Sequence, residues 1–137
     1  MRAALTRRVR FDARHRFQRP EWDAAENRAA FGAAAEDHGH HYSCAVTLEG
    51  PLGDTGALVD LVLLDALLAA EVTARLDGRH INQDLPEFAY GRLLPTCEAL
   101  ARWIWERLEL RLPPGVRLAE VRVAEDDALE GACAGPA

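Results

Sequence analysis

No lysine occurs in the 137-residue chain: all 16 basic groups are arginine, set against 22 acidic ones for a formal net charge of −6. The missing lysine, alongside the many alanines, fits a GC-rich coding bias and carries no mechanism. The negative balance gives no support to nucleic-acid or membrane-surface binding, which draw on clustered positive charge. Cysteine is scarce too. Cys44, Cys97 and Cys133 form no CxxC pair. No apolar stretch approaches the roughly 20 residues of a membrane helix. The first residues, Met-Arg-Ala-Ala-Leu-Thr-Arg-Arg, alternate where an export signal would run apolar. A reduced, cytoplasmic protein without disulfides is therefore expected. Internal repeats and domain linkers are also missing, so residues 1–137 are expected to form one domain.

What is present is an ordinary globular balance, 49% apolar and 28% charged, enough for a substantial core. Charge is unevenly spread: residues 1–19 hold seven Arg against one Asp, and residues 120–130 hold five acids against one Arg. A subunit contact or an anionic ligand would use that asymmetry, and solvated faces explain it equally well.

Hydrophobic period supplies the elements. From Leu5 to Phe17, apolar residues and His15 share one face of a period-two run, broken by Arg7. A second such run, His38 to Leu48, puts His38, His40, Tyr42, Cys44, Val46 and Leu48 together. Residues 18–37 between them show no sustained period and are expected to form a long connection of the kind that often carries function. After the turn cluster 50–56, Asp60 suits an N-cap for a helix over 61–76 with the stripe Leu61, Leu64, Leu67, Leu68, Val72 and Leu76, closed by Gly78. A loop over 79–95 leads to Thr96, which caps a second helix over 97–111, and Pro113-Pro114-Gly115 stops it. A third strand follows over 116–125, and the small, acidic last twelve residues offer at most a short fourth. This order predicts an α+β domain: an antiparallel sheet with helices on one face.

If the first two strands pair as antiparallel neighbours, His15, His38 and His40 converge. Neutral imidazoles suit zinc, and three protein ligands leave a fourth position for water or substrate. Histidines satisfied within the core are the plainer alternative. Glu125 ends the face carrying Val121 and Val123, where a buried carboxylate needs a donor, such as the paired N–H groups of a guanidine-like heterocycle; a frayed strand end with Glu125 in solvent fits the spacing equally. Asp77 sits at a helix C-terminus, where an acid opposes the dipole.

The residues resemble the 6-pyruvoyl-tetrahydropterin synthase and 6-carboxytetrahydropterin synthase family. The resemblance runs through Phe11-Asp12-Ala13-Arg14-His15, Phe31-Gly32, His38-Gly39-His40-His41-Tyr42, Glu49-Gly50 and Gly56-Ala57-Leu58-Val59-Asp60. It continues through Leu76-Asp77, Ile81-Asn82, Pro95-Thr96-Cys97-Glu98 and Ile104-Trp105. It implies a tunnelling fold, a four-stranded antiparallel sheet with two helices on one face. Three subunits would join their sheets into a barrel and two trimers would stack into a hexamer, with each site between subunits. It implies Zn²⁺ on His15, His38 and His40, a pterin ring anchored by Glu125, and Thr96 and Cys97 in the segment lining the ring pocket. The family's Phe-Gly-x-Cys segment reads Phe31-Gly32-Ala33-Ala34 here, and its Asp-His pair reads Asp77-Gly78, so the usual cysteine and histidine are absent. The aromatic-rich ending of the family's closing strand is replaced by Gly131-Ala132-Cys133-Ala134-Gly135.

The expectation is thus a homo-oligomeric, zinc-dependent lyase- or isomerase-type enzyme acting on a pterin-like small molecule with a substituted base. Asp77, His80 and Glu36 are the catalytic candidates, and Asp37, His41 and Cys97 are further sources of the base. A non-catalytic pterin-binding or structural homologue, and an enzyme repurposed for a non-pterin substrate, are the alternatives.

Overall fold

The computed structural model describes residues 1–137. Strand β1 (Arg2–His15) and strand β2 (His38–Pro51) flank helix α1 (Ala24–Phe31). Helix α2 (Leu61–Leu68) runs through a π turn, Ala69–Thr73, into α3 (Ala74–Leu76). Strand β3 (Arg79–His80), α4 (Ile81–Asp84), α5 (Cys97–Leu108), β4 (Arg117–Ala124) and β5 (Glu130–Cys133) complete the chain.

The alternation reaches the structure intact. Phe11, Ala13 and His15 are buried along β1 while Arg10, Asp12 and Arg14 are exposed; Tyr42, Cys44, Val46 and Leu48 are buried along β2. These strands pair antiparallel, with His15 opposite His38 and Ala13 opposite His40. Because side chains alternate with period two, that register alone brings the three imidazoles to one face.

The sheet order is β3-β1-β2-β4-β5. The expected antiparallel sheet of about four strands is present as β1, β2, β4 and β5, and the two-residue β3 adds a fifth, pairing parallel with β1 through Ala13–Arg79 and Arg14–His80. A two-residue strand has no period to detect. The short fourth strand at the C-terminus exists as β5. Residues 18–37 are not wholly a loop, because Asp23 caps α1 in a reciprocal capping box with Glu26. The Asp-x-x-Glu signature stands in the sequence, but eight residues with little apolar surface leave no stripe to read.

Helices α2–α3 and α5 cover the same sheet face. Leu64, Leu68, Val72 and Leu76 are buried, together with Leu100, Ile104, Leu108, Val121 and Val123. Their uniform spacing of four drifts by about 40° per step around a regular α-helix. The wider π turn takes up that drift and keeps all four facing the core. Leu61, expected in the stripe, is instead exposed at the first helical position. The expected caps are present: Asp60 accepts from the Val62 and Leu63 amides, and Thr96 from Ala99 N at 3.1 Å.

Gly131 lies where β5 meets the N-terminus of α5. A Cβ there would come within 2.5 Å of Glu98 N and 3.0 Å of Cys97 C. Only a residue without a side chain lets the last strand approach the helix so closely. The turn before β5, closed by the Glu125 amide donating to Leu129 O at 3.2 Å, brings Glu125 beside Cys97.

Candidate functional site

The three imidazoles meet at the end of the β1–β2 ladder. His15 is 1% exposed, and one ligand nitrogen from each of His15, His38 and His40 lies within 4.8 Å of the others. His38 Nδ1 donates to the Glu36 carbonyl at 2.7 Å, which leaves its Nε2 as a lone pair; His15 Nε2 lies 3.0 Å from it. Tyr42 Oη lies 3.1 Å from His15 Nδ1, and burial, reinforced by the charge on Glu125, keeps that phenol protonated. His40 Nε2 is buried and has no hydrogen-bond partner.

Electrostatics favour the neutral form of His15 and His40. Burial first, then the like charges of His38, His40 and His80, pull His15 down to about 3. His40 is lowered as well, mainly by burial, although Glu125 opposes the shift. Two ring nitrogens 3.0 Å apart, an orphaned buried nitrogen and second nitrogens tied to a carbonyl and a phenol form a donor set that fits a divalent cation taking imidazole ligands.

Glu125 stands directly after β4, its side chain 14% exposed and its Oε2 3.4 Å from His40 Nε2. A recess of about 350 Å³ is lined by His40, His41, Glu125 and Asp126. Thr96 opens α5, and the buried Cys97 thiol is pushed up to about 11, by burial first and then by the Glu125 charge. Cys97 therefore remains a thiol at neutral pH, a poor proton acceptor.

The catalytic candidates separate. Glu36 is exposed and paired with Arg28 at 2.5 Å. Asp77 Oδ1 accepts the Asp12 amide at 2.9 Å, while the Gly78 amide donates to Asp12 O at 2.7 Å, so this pair splices the helix end to β1. Gly78 has φ +72°, a conformation that side-chain-bearing residues rarely adopt. His41 Nδ1 lies 2.6 Å from Asp12 Oδ1 on the opposite sheet face, with its side chain 94% exposed. Ala34 offers only its carbonyl, which accepts Phe17 N at 2.8 Å.

His80 and Asp37 come together. His80 Nε2 is 2.8 Å from Asp37 Oδ1, and Arg14 Nη2 is 3.2 Å from Asp37 Oδ2. Burial works against ionising Asp37, but the hydrogen bonds from His80 and Arg14 outweigh it and hold the carboxyl below its ordinary value.

The sequence pattern described as 6-pyruvoyl tetrahydropterin synthase matches residues 4–133. The chain belongs to the 6-pyruvoyl tetrahydropterin synthase family. It is 34% identical over 126 residues to the Drosophila melanogaster 6-pyruvoyl tetrahydrobiopterin synthase, covering 90% of this chain and 74% of that one. It is 30% identical over 125 residues to the dihydroneopterin monophosphate aldolase of Pyrococcus furiosus, covering 91% of each. The solved Caenorhabditis elegans 6-pyruvoyl tetrahydropterin synthase superposes with a TM-score of 0.87 at 26% identity, covering 99% of this chain and 97% of that one. The α+β domain thus has the tunnelling fold of the 6-pyruvoyl tetrahydropterin synthase family.

Two features of this family member escaped the sequence reading. Tyr42 was visible on the His38–His40 face, but its contact with His15 depends on the register. Asp37 and His80 are 43 positions apart, and only the parallel pairing of β3 with β1 unites them.

Proposed function

We propose that the protein is a zinc-dependent enzyme of lyase or isomerase type acting on the hydroxylated side chain of a pterin. The observation that carries this reading is the convergent imidazole trio with its orphaned His40 nitrogen 3.4 Å from the Glu125 carboxylate. His15, His38 and His40 would hold the zinc, which when bound supplies Lewis acidity to a side-chain oxygen. Glu125 accepts the paired N–H donors of the pterin's guanidine-like edge, and that bidentate contact fixes the ring. Thr96 and Cys97 wall the ring pocket. Among the carboxylates, Asp77 positions β1 through the Asp12 amide, and Glu36 orients His38 through its carbonyl.

The relatives support a pterin substrate. Those described above are named as a 6-pyruvoyl tetrahydrobiopterin synthase and a dihydroneopterin monophosphate aldolase. The protein works as a homo-oligomer, a hexamer, in the cytoplasm. No helix is long and apolar enough to cross a membrane.

The test is incubation of the zinc-loaded protein with 7,8-dihydroneopterin triphosphate and monophosphate, with products followed by mass spectrometry. Conversion to a side-chain-rearranged or side-chain-cleaved pterin, abolished in Glu125→Gln, is expected. Unchanged substrates, or turnover untouched by Glu125→Gln, contradict the reading.

A further inference from the structure

Tyr42 is buried on the face of β2 that carries His38 and His40, and its hydroxyl reaches the third imidazole, His15. Resting on the zinc reading of that trio, we propose that Tyr42 is its positioning residue. The hydroxyl donates to His15 Nδ1 while the site is free of metal and accepts from the same nitrogen once a divalent cation is held.

Three consecutive contacts run from the backbone to Tyr42. His38 Nδ1 lies 2.7 Å from the Glu36 carbonyl, His15 Nε2 lies 3.0 Å from His38 Nε2, and Tyr42 Oη lies 3.1 Å from His15 Nδ1. A carbonyl only accepts, so His38 Nδ1 carries the proton and a neutral His38 keeps its lone pair on Nε2. The His15 nitrogen facing that lone pair is then the donor. Burial keeps His15 neutral. A neutral imidazole has a single N–H, so His15 Nδ1 is the acceptor and the Tyr42 hydroxyl is its donor. The Glu36 carbonyl thus sets the direction of every bond as far as Tyr42.

A cation held by the Nε2 atoms of His15 and His38 needs both of them bare. The His15 proton then sits on Nδ1, and the partner there accepts where it had donated. A carbonyl or carboxylate could only accept, and a phenylalanine could do neither. A hydroxyl does both by turning about its C–O bond. The chain neither gains nor loses a proton in this exchange, which moves one hydrogen between the two nitrogens of His15. The outer partners are a phenol and a carbonyl, both uncharged, so they leave the charge of a bound cation free to polarise a ligand oxygen.

Packing holds the phenol in place. Its ring stacks on Phe11, its neighbour across the β1–β2 ladder, with centroids 4.9 Å apart and planes at 13°. It also meets the His40 ring nearly edge-on at 5.5 Å. Ala13, between Phe11 and His15 on that face of β1, puts only a methyl group beside the hydroxyl's path to His15. The Pro95 carbonyl is the rival partner, since it too favours a proton on the His15 ring.

Nitrogen-15 histidine NMR of the chelator-treated parent at neutral pH, repeated after zinc is added, reads the exchange directly. His15 is expected to be protonated at Nε2 and bare at Nδ1 without metal, and protonated at Nδ1 with it. Tyr42→Phe keeps the ring and its stack on Phe11. It is expected to bind zinc about 10–100-fold more weakly in competition with a chromogenic chelator, with its circular dichroism unchanged. A His15 protonated at Nδ1 in both states overturns the role of Tyr42. So does a Tyr42→Phe chain that binds zinc as the parent does, and either result passes the outer contact to the Pro95 carbonyl while the zinc reading stands. A parent that takes up no zinc overturns both together.

Discussion

At the scale of the residue, the decisive property is neutrality imposed on histidine by burial. His15 is pulled to about 3 in the folded chain, mainly by burial and then by its histidine neighbours, against an ordinary value of 6.5. Between those values the unfolded chain binds the proton and the folded chain does not, so stability rises with pH and is lost as pH falls through that window. Chelator-treated protein should therefore be about 2 kcal/mol less stable at pH 5 than at pH 7 by urea unfolding, at roughly 1.4 kcal/mol per pH unit below 6.5. His15→Asn should flatten the dependence. Equal stability of the parent at both pH values would show that His15 is protonated in the folded state. Gly78 makes a second residue-scale case. Its φ of +72° means that restoring a histidine there should cost about 1–2 kcal/mol of stability. Thermal unfolding of Gly78→His checks this, and an unchanged midpoint would deny the backbone argument.

At the scale of the element, two strand ends and one close approach build the site. The β1–β2 register sets His15 against His38, and a slip of one residue would send the whole set to the opposite face. The approach of β5 to α5 depends on Gly131, where any Cβ meets backbone atoms that cannot yield. Gly131→Val should displace β5, weaken neopterin binding at least about tenfold through movement of the Glu125 turn, and leave zinc content intact. Calorimetry with neopterin and metal analysis distinguish the two effects, and unchanged binding would separate β5 from the pocket. This is also the scale at which legibility divides. The period-two runs and the Asp60 and Thr96 caps were readable, because burial and end-capping act on neighbouring residues. The trio followed from alternation plus one assumption about pairing. Helix α1, strand β3 and the Asp37–His80 pair were not readable, since a short capped helix shows no stripe and a two-residue strand shows no period. The four-residue steps from Leu64 to Leu76 also concealed a π turn, because spacing alone does not say how the backbone absorbs the drift.

At the scale of the whole molecule, one sheet face and its two helix layers form the core, and the strand ends carry the chemistry. A sheet with β5 and the two-residue β3 at its edges, and a helix exposing Leu61, Val62 and Leu63, has surface suited to further copies of itself. Light scattering after size exclusion should give a mass near six times 15.1 kDa, and a monomer at micromolar concentration would contradict the oligomeric proposal. The central claim is that His15, His38 and His40 form a metal centre, and the most direct measurement is zinc content per chain after exhaustive dialysis. The expected result is one tightly held zinc in the parent and loss of it in His40→Ala, with the fold retained by circular dichroism. A parent that retains no zinc, or a His40→Ala chain that keeps it, would contradict the claim.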